Sequence, residues 1–194
     1  SDLSQKQLIY WLSQVNNILN NEFPGNSHLD NQPSCIIDNW LYVGDFEDAN
    51  NISMLNKLGI HYVLNCAGDD TTYMDIDRVT YPSHFNVHSF NALDVYNYSI
   101  IDNHIQESIQ FINECKQNGG RILIHCIAGM NRSPTIAIAY MMSQLNMDLL
   151  TSIQLFVKQR PWILSNKSFQ QQLILYAHKI GKLKHVKVHL KSKL

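Results

Sequence analysis

The stretch Ile122-Leu123-Ile124-His125-Cys126-Ile127-Ala128-Gly129-Met130-Asn131-Arg132-Ser133-Pro134 runs an apolar strand into a single cysteine and starts a helix six residues later at an arginine. A connection that short must curl. The backbone N–H groups of residues 127–132 then face one centre, and the helix adds the positive end of its dipole there. An oxyanion, phosphate above all, suits such a cradle. Cys126 lies at its floor beside Arg132, the setting in which a cysteine acts as a thiolate nucleophile without a separate base. Gly129 supplies the positive φ or close approach that a tight anion loop needs, and Arg132 offers a planar fork for two phosphate oxygens. Ser133 is placed to donate a hydrogen bond to the sulfur. A cysteine kept only for packing needs none of these neighbours.

The remaining chain must supply the layers that hold this loop. With 194 residues and 45% hydrophobic content it suffices for one well-buried core and is too short for two ordinary domains. The net charge of −1 provides no global basic field, so neither nucleic acid nor a membrane surface is expected as a partner. No apolar run approaches membrane-spanning length. The four cysteines, Cys35, Cys66, Cys115 and Cys126, show no CxxC spacing, and nothing in the first thirty residues resembles a signal peptide. The expectation is reduced thiols in the cytoplasm or nucleus, with no disulfide framework, zinc site or other cofactor.

Periodicity divides the chain into three parts. Residues 1–32 hold an amphipathic helix over 3–20, with Leu8, Trp11, Leu12, Val15, Ile18 and Leu19 on one face and Asp2 or Ser4 as N-cap, then a linker rich in Asn, Gly, Pro and Ser. Docking of that helix on the domain that follows is favoured over a dimer or partner contact. Residues 33–182 form the main domain. Residues 183–194 form a basic tail, part of a run from Lys182 with five lysines and no acid, read as a solvated end in preference to a contact for an acidic partner, a membrane surface or RNA.

Within 33–182 short strands alternate with helices. Strands are expected at 35–43, as a pair turning at Asp38-Asn39, and at 61–65, 83–88 and 121–125. Helices are expected at 48–58, stopped by Gly59, and at 100–116, 132–145, 148–159 and 166–180. The predicted fold is α/β, a central, mostly parallel sheet of about five strands flanked by helices.

The loop residues match the HCxxGxxR[ST] signature of the cysteine-dependent protein tyrosine phosphatase superfamily, and Ser133-Pro134 resembles its dual-specificity branch. The blocks Leu41-Tyr42-Val43-Gly44, residues 58–65, and Arg160-Pro161 with Asn166, Phe169, Gln172 and Leu173 are similar to that branch as well. The resemblance spans about residues 33–182, with no docking domain ahead of it, as in the small atypical members.

It implies a protein phosphatase that acts on phosphotyrosine and phosphoserine or phosphothreonine through a cysteinyl-phosphate. Cys126 would be the nucleophile, and Arg132 would bind phosphate together with the amides of Ile127, Ala128, Gly129, Met130 and Asn131. Ser133 would support the leaving thiolate, and His125 would support Cys126 by hydrogen bonding. The poor leaving group of a serine or threonine ester calls for a carboxylic acid. Asp94, 32 residues before Cys126 in the loop where the family keeps its acid, is the candidate. Asp69, Asp70, Asp75 and Asp77 read as surface charges, and Asp102 falls within a helix.

Tyr73, Tyr96, Tyr98 and Trp162 are candidate walls of the substrate pocket. Uncharged Ile127, Ala128, Met130 and Asn131 argue against inositol lipids, for which a similar phosphatase uses lysines. Two alternatives stay open: an RNA 5′-triphosphatase or other non-protein phosphatase of the superfamily, and a phosphate-recognising pseudoenzyme. Cys66, at the end of the strand beside the catalytic one, resembles the thiol with which some members trap an oxidised nucleophile as a disulfide, and is otherwise a packing residue.

Overall fold

Side chains alternating between the two faces of the strands set the layers. The computed structural model describes residues 2–21, 32–68 and 80–183. Five short strands, β1 (Ser34–Ile37), β2 (Leu41–Gly44), β3 (Tyr62–Asn65), β4 (Asn86–Ser89) and β5 (Ile122–His125), form one sheet in the order β1-β2-β5-β3-β4. β1 is antiparallel to β2 and the other three pairings are parallel, as the expected fold requires. On the central strand Ile122 and Ile124 face one side with Leu41, Val43 and Leu64, while Leu123 faces the other with Tyr42 and Val63. That is the period-two alternation of a sheet buried on both faces.

The larger face is covered by α1 (Gln5–Leu19), α4 (Ile100–Gln117), α5 (Arg132–Gln144), α6 (Leu149–Gln159) and α7 (Lys167–Lys179). The smaller face is covered by α2 (Phe46–Asn50) and α3 (Ile52–Leu58), through Ala49 and Leu55. α5 is buried at every position from Arg132 to Met142, which is why its sequence is apolar almost all round. α1 is capped by Ser4 rather than Asp2. Ser4 and Gln7 satisfy each other's backbone N–H groups in a capping box, and Trp11, Val15 and Ile18 pack against α6 and α7.

Two expected elements differ from those observed. The helix expected over 48–58 is two helices, because Asp45 caps the first and the Asn51 side chain, accepting from the N–H of Met54 at 3.0 Å, starts the second. The strand expected at 83–88 begins only at Asn86, since the N–H of Phe85 bonds the Pro82 carbonyl and closes a turn first. The linker after α1 falls mainly on residues outside the described ones. So do the basic tail from residue 184, Asp69, Asp70, Tyr73, Asp75 and Asp77. Among the described residues no helix is long and apolar enough to cross a membrane.

The parallel register aligns Gly44, His125 and Asn65 across three neighbouring strands. The chain therefore leaves β2, β5 and β3 along one edge, the carboxyl end where open α/β sheets place their ligands.

Candidate active site

Cys126 follows β5 at this edge and is 2% exposed. The loop after it keeps its shape because its carbonyls are bonded from outside. The Ile127 carbonyl accepts from the N–H of Phe46 at 2.9 Å, and that of Met130 from the N–H of Leu164 at 2.8 Å. Arg160 holds the two between, with Nε donating to Gly129 O at 2.8 Å and Nη2 to Ala128 O at 3.4 Å. The Asn131 carbonyl accepts from the backbone and hydroxyl of Thr135 as α5 starts. No peptide bond here is cis. With the carbonyls turned away, the N–H groups on the same trans peptides point to the opposite side, toward one centre.

Gly129 is the hinge of this arrangement. Its φ is +63°, and a Cβ there would lie 2.2 Å from Arg160 Nη2 and 2.7 Å from the Gly44 carbonyl. Only glycine fits both the left-handed backbone and the space.

Ser133, fully buried, donates its hydroxyl to Cys126 Sγ at 3.3 Å. The Arg132 side chain is 4% exposed and its Nη1 donates to the Ala92 carbonyl at 3.1 Å, so it is held between the cysteine loop and residues 91–95. His125 is 4% exposed, and burial pushes its pKa down to about 4 against the pull of the Cys126 carbonyl, which lies 3.3 Å from its Nδ1. A neutral imidazole with Nδ1–H donating to that carbonyl satisfies this contact.

Asp94 stands over the loop on the solvent side. Its Oδ2 accepts from Asn131 Nδ2 at 3.0 Å and its Oδ1 from Asn166 Nδ2 at 2.9 Å. Asn166 also caps α7 through its Oδ1, and its backbone N–H bonds Asn131 Oδ1 at 3.0 Å. The aspartate, the cysteine loop and the start of α7 are thus joined by two asparagines.

The structure brings Cys126, Arg132, Ser133, His125, Asp94 and the backbone of residues 127–131 into one site. Tyr96 and Trp162 are exposed, on the Asp94 loop and on the segment joining Arg160 to Leu164. The Tyr98 hydroxyl bonds Asn91 O and His104, so it serves the loop from within. Cys66 is fully buried, its N–H bonded to His125 O and its carbonyl to the N–H of Ala92. Burial pushes its thiol well up, and the charge at Cys126 adds to this. Among the described residues no group of three or more His, Cys, Asp or Glu is placed to hold a metal ion.

The sequence reading missed what Arg160 and the side chains of Asn131 and Asn166 do. Their partners are 31 to 72 residues away, beyond any local spacing.

Comparison with known proteins accounts for this geometry. The family model for the dual specificity phosphatase catalytic domain matches residues 41–179. A probable rhodanese domain-containing dual specificity protein phosphatase of Dictyostelium discoideum is 37% identical over 78% of this chain and 32% of its own length. Dual specificity protein phosphatase 22-A of Danio rerio is 32% identical over 69% of the chain and 60% of its length. Human dual specificity protein phosphatase 16 is 36% identical over 76% and 21%. The chain thus spans between about a fifth and three fifths of these relatives. Among solved structures, the human tyrosine phosphatase-like serine/threonine/tyrosine-interacting protein superposes with a TM-score of 0.69 at 23% identity, over 77% of this chain and 97% of that one. DUSP15 superposes with a TM-score of 0.63 at 23% identity, over 80% and 98%. The matched span covers β2 to β5, the cysteine loop and the Asp94 loop, and the chain belongs to the dual specificity phosphatase catalytic-domain family.

Proposed function

We propose that this chain is a cysteine-dependent protein phosphatase that hydrolyses phosphotyrosine and phosphoserine or phosphothreonine esters. The observation that carries the reading is the loop itself: its carbonyls are tied back by outside donors while the Cys126 sulfur accepts a hydrogen bond from Ser133. In the first step the Cys126 thiolate attacks phosphorus and the ester P–O bond breaks. Asp94 gives its proton to the departing oxygen, and Arg132 and the loop amides hold the three remaining oxygens as charge redistributes. In the second step Asp94 takes a proton from water, the water oxygen attacks phosphorus, and the P–S bond breaks. Ser133 then donates to the sulfur as it leaves as thiolate. His125, kept neutral by burial, transfers no proton and orients the Cys126 peptide.

The substrate side of this reading rests on the uncharged loop side chains and on the family. Acid-quenching the protein during turnover of a radiolabelled phosphotyrosine peptide should trap phosphate on Cys126. Cys126→Ser should lose turnover by about 10⁴-fold or more while still binding phosphate. A phosphate-recognising pseudoenzyme would give no trapped phosphate and no difference between the two proteins. Turnover of triphosphorylated RNA in preference to phosphopeptides would move the substrate class to nucleic acid.

A further inference from the structure

Behind the Asp94 loop runs a chain of hydrogen bonds that the reaction itself does not use. Tyr98 Oη lies 3.0 Å from the Asn91 carbonyl and 2.6 Å from His104 Nε2. His104 Nδ1 lies 2.7 Å from Glu107 Oε1, and the other carboxylate oxygen lies 2.8 Å from His88 Nε2. The His104 ring stacks on Phe90 at 4.1 Å between centroids, which fixes its plane. Asn91 and Tyr98 are the two ends of the loop that carries Asp94 at its middle. The Tyr98 hydroxyl closes that loop across its base, and Gln172 of α7 holds the Tyr98 carbonyl at 2.8 Å.

Counting protons shows what this chain requires. The Asn91 carbonyl and an ionised Glu107 only accept, so three contacts between them need three protons. Tyr98 has one, and it must go to Asn91 for the loop to close. Both His104 nitrogens must then carry protons, one toward Tyr98 and one toward Glu107. A neutral His104 leaves one contact empty. The bond to the carboxylate is charge-assisted and stronger, so neutral His104 keeps its proton on Nδ1 and its Nε2 accepts a hydrogen bond from the Tyr98 hydroxyl. The bond to Asn91 is the one lost.

The carboxylate facing His104 is ionised. Burial works against the Glu107 carboxylate, but hydrogen bonds from His104 and His88 outweigh it and hold the group below the usual range. His88 reaches it from β4. Cys66, at the end of β3, stays a neutral thiol, and Phe90 and Gln172 bring no charge.

We propose that Tyr98 and His104 are positioning residues for the general acid, and that doubly protonated His104 closes a hydrogen-bonded latch across the Asp94 loop while neutral His104 releases it. The inference rests on Asp94 as the acid only for its effect on rate; the latch itself is independent of it.

The test uses the whole chain with Tyr98→Phe and His104→Gln. NMR follows the His104 ring through its titration, and hydrogen exchange follows the amides of Ala92 and Tyr98, which are bonded to the Cys66 and Val95 carbonyls. Below the His104 titration the wild-type amides should be protected about fivefold more than in Tyr98→Phe, the order of one hydrogen bond, and above it the two proteins should converge. His104→Gln should show no such pH dependence. Turnover of phosphoserine peptides should follow the same ratio, with a smaller change on activated aryl phosphates such as para-nitrophenyl phosphate. A protection ratio that stays constant through the titration, or is one throughout, overturns the latch. Protection that follows the titration without any change in phosphoserine turnover confirms the latch and removes Asp94 as the acid.

Discussion

The loop of Cys126 and the loop of Asp94 meet above the same sheet edge and are built in opposite ways. The first keeps its nucleophile buried and its carbonyls bonded from behind, and leads into a central helix buried from Arg132 to Met142. The second is exposed and hangs largely on side chains, among them two asparagine amides, one glutamine amide, one arginine nitrogen and one tyrosine hydroxyl. The contrast follows from the chemistry assigned to each. Oxyanion stabilisation works only if the donors are already in place, so it needs backbone dipoles that do not reorganise. A group that gives and then takes a proton must meet different atoms in the two steps, and single side-chain bonds of about 1 kcal/mol each can be exchanged for this.

The sharpest break in this contrast is Arg132→Lys. A point ammonium cannot form two parallel hydrogen bonds to phosphoryl oxygens or span to Ala92 as well, and turnover should fall by about 10²- to 10³-fold on all substrates. Near-normal rates would make Arg132 a source of general charge. Asp94→Asn should cost about 10²-fold, but only where the leaving group is poor. Steady-state rates on phosphoserine peptides and on para-nitrophenyl phosphate check it, and equal losses on both would require another acid.

Arg160→Met keeps the volume and removes the donors to Gly129 and Ala128. A loop displaced by less than an ångström should lower kcat/KM by about 10- to 100-fold without leaving-group dependence. Loss of rate confined to poor leaving groups would show that Arg160 acts on the acid instead. The smallest effect is expected at Cys66, whose backbone bridges the two loops. After mild peroxide, reductant should restore more activity in wild type than in Cys66→Ser, with a Cys66–Cys126 linkage seen by mass spectrometry; its formation is opposed by the burial that keeps the Cys66 thiol protonated. Equal recovery and no linkage would leave Cys66 with a packing role alone.

What could be read from the sequence follows the same divide. Cys126, Gly129, Arg132 and Ser133 sit within eight residues, so their geometry follows from one strand, one turn and one helix. The central strands were legible for a similar reason, since strands buried on both faces read as short apolar runs. The grip of Arg160 on Gly129 and of Asn166 on Asp94 was not, because tertiary contacts leave no local period. The split at Asn51 went unseen because the apolar spacing of α2 and α3 continues across it, and only the cap betrays the break.

Arg160 also reaches Ser34, with Nη1 3.3 Å from the hydroxyl at the start of β1. One guanidinium therefore joins the first strand, the middle of the nucleophile loop and the end of α6, positions 126 and about 31 residues apart in the chain. As the protein emerges from the ribosome, Cys126 appears well before the residue that fixes its loop, and contacts of such separation close late. The reactive cysteine acquires its anion site only once the last third of the domain has docked, so a nascent or truncated chain ending before residue 160 carries a thiol without its cradle.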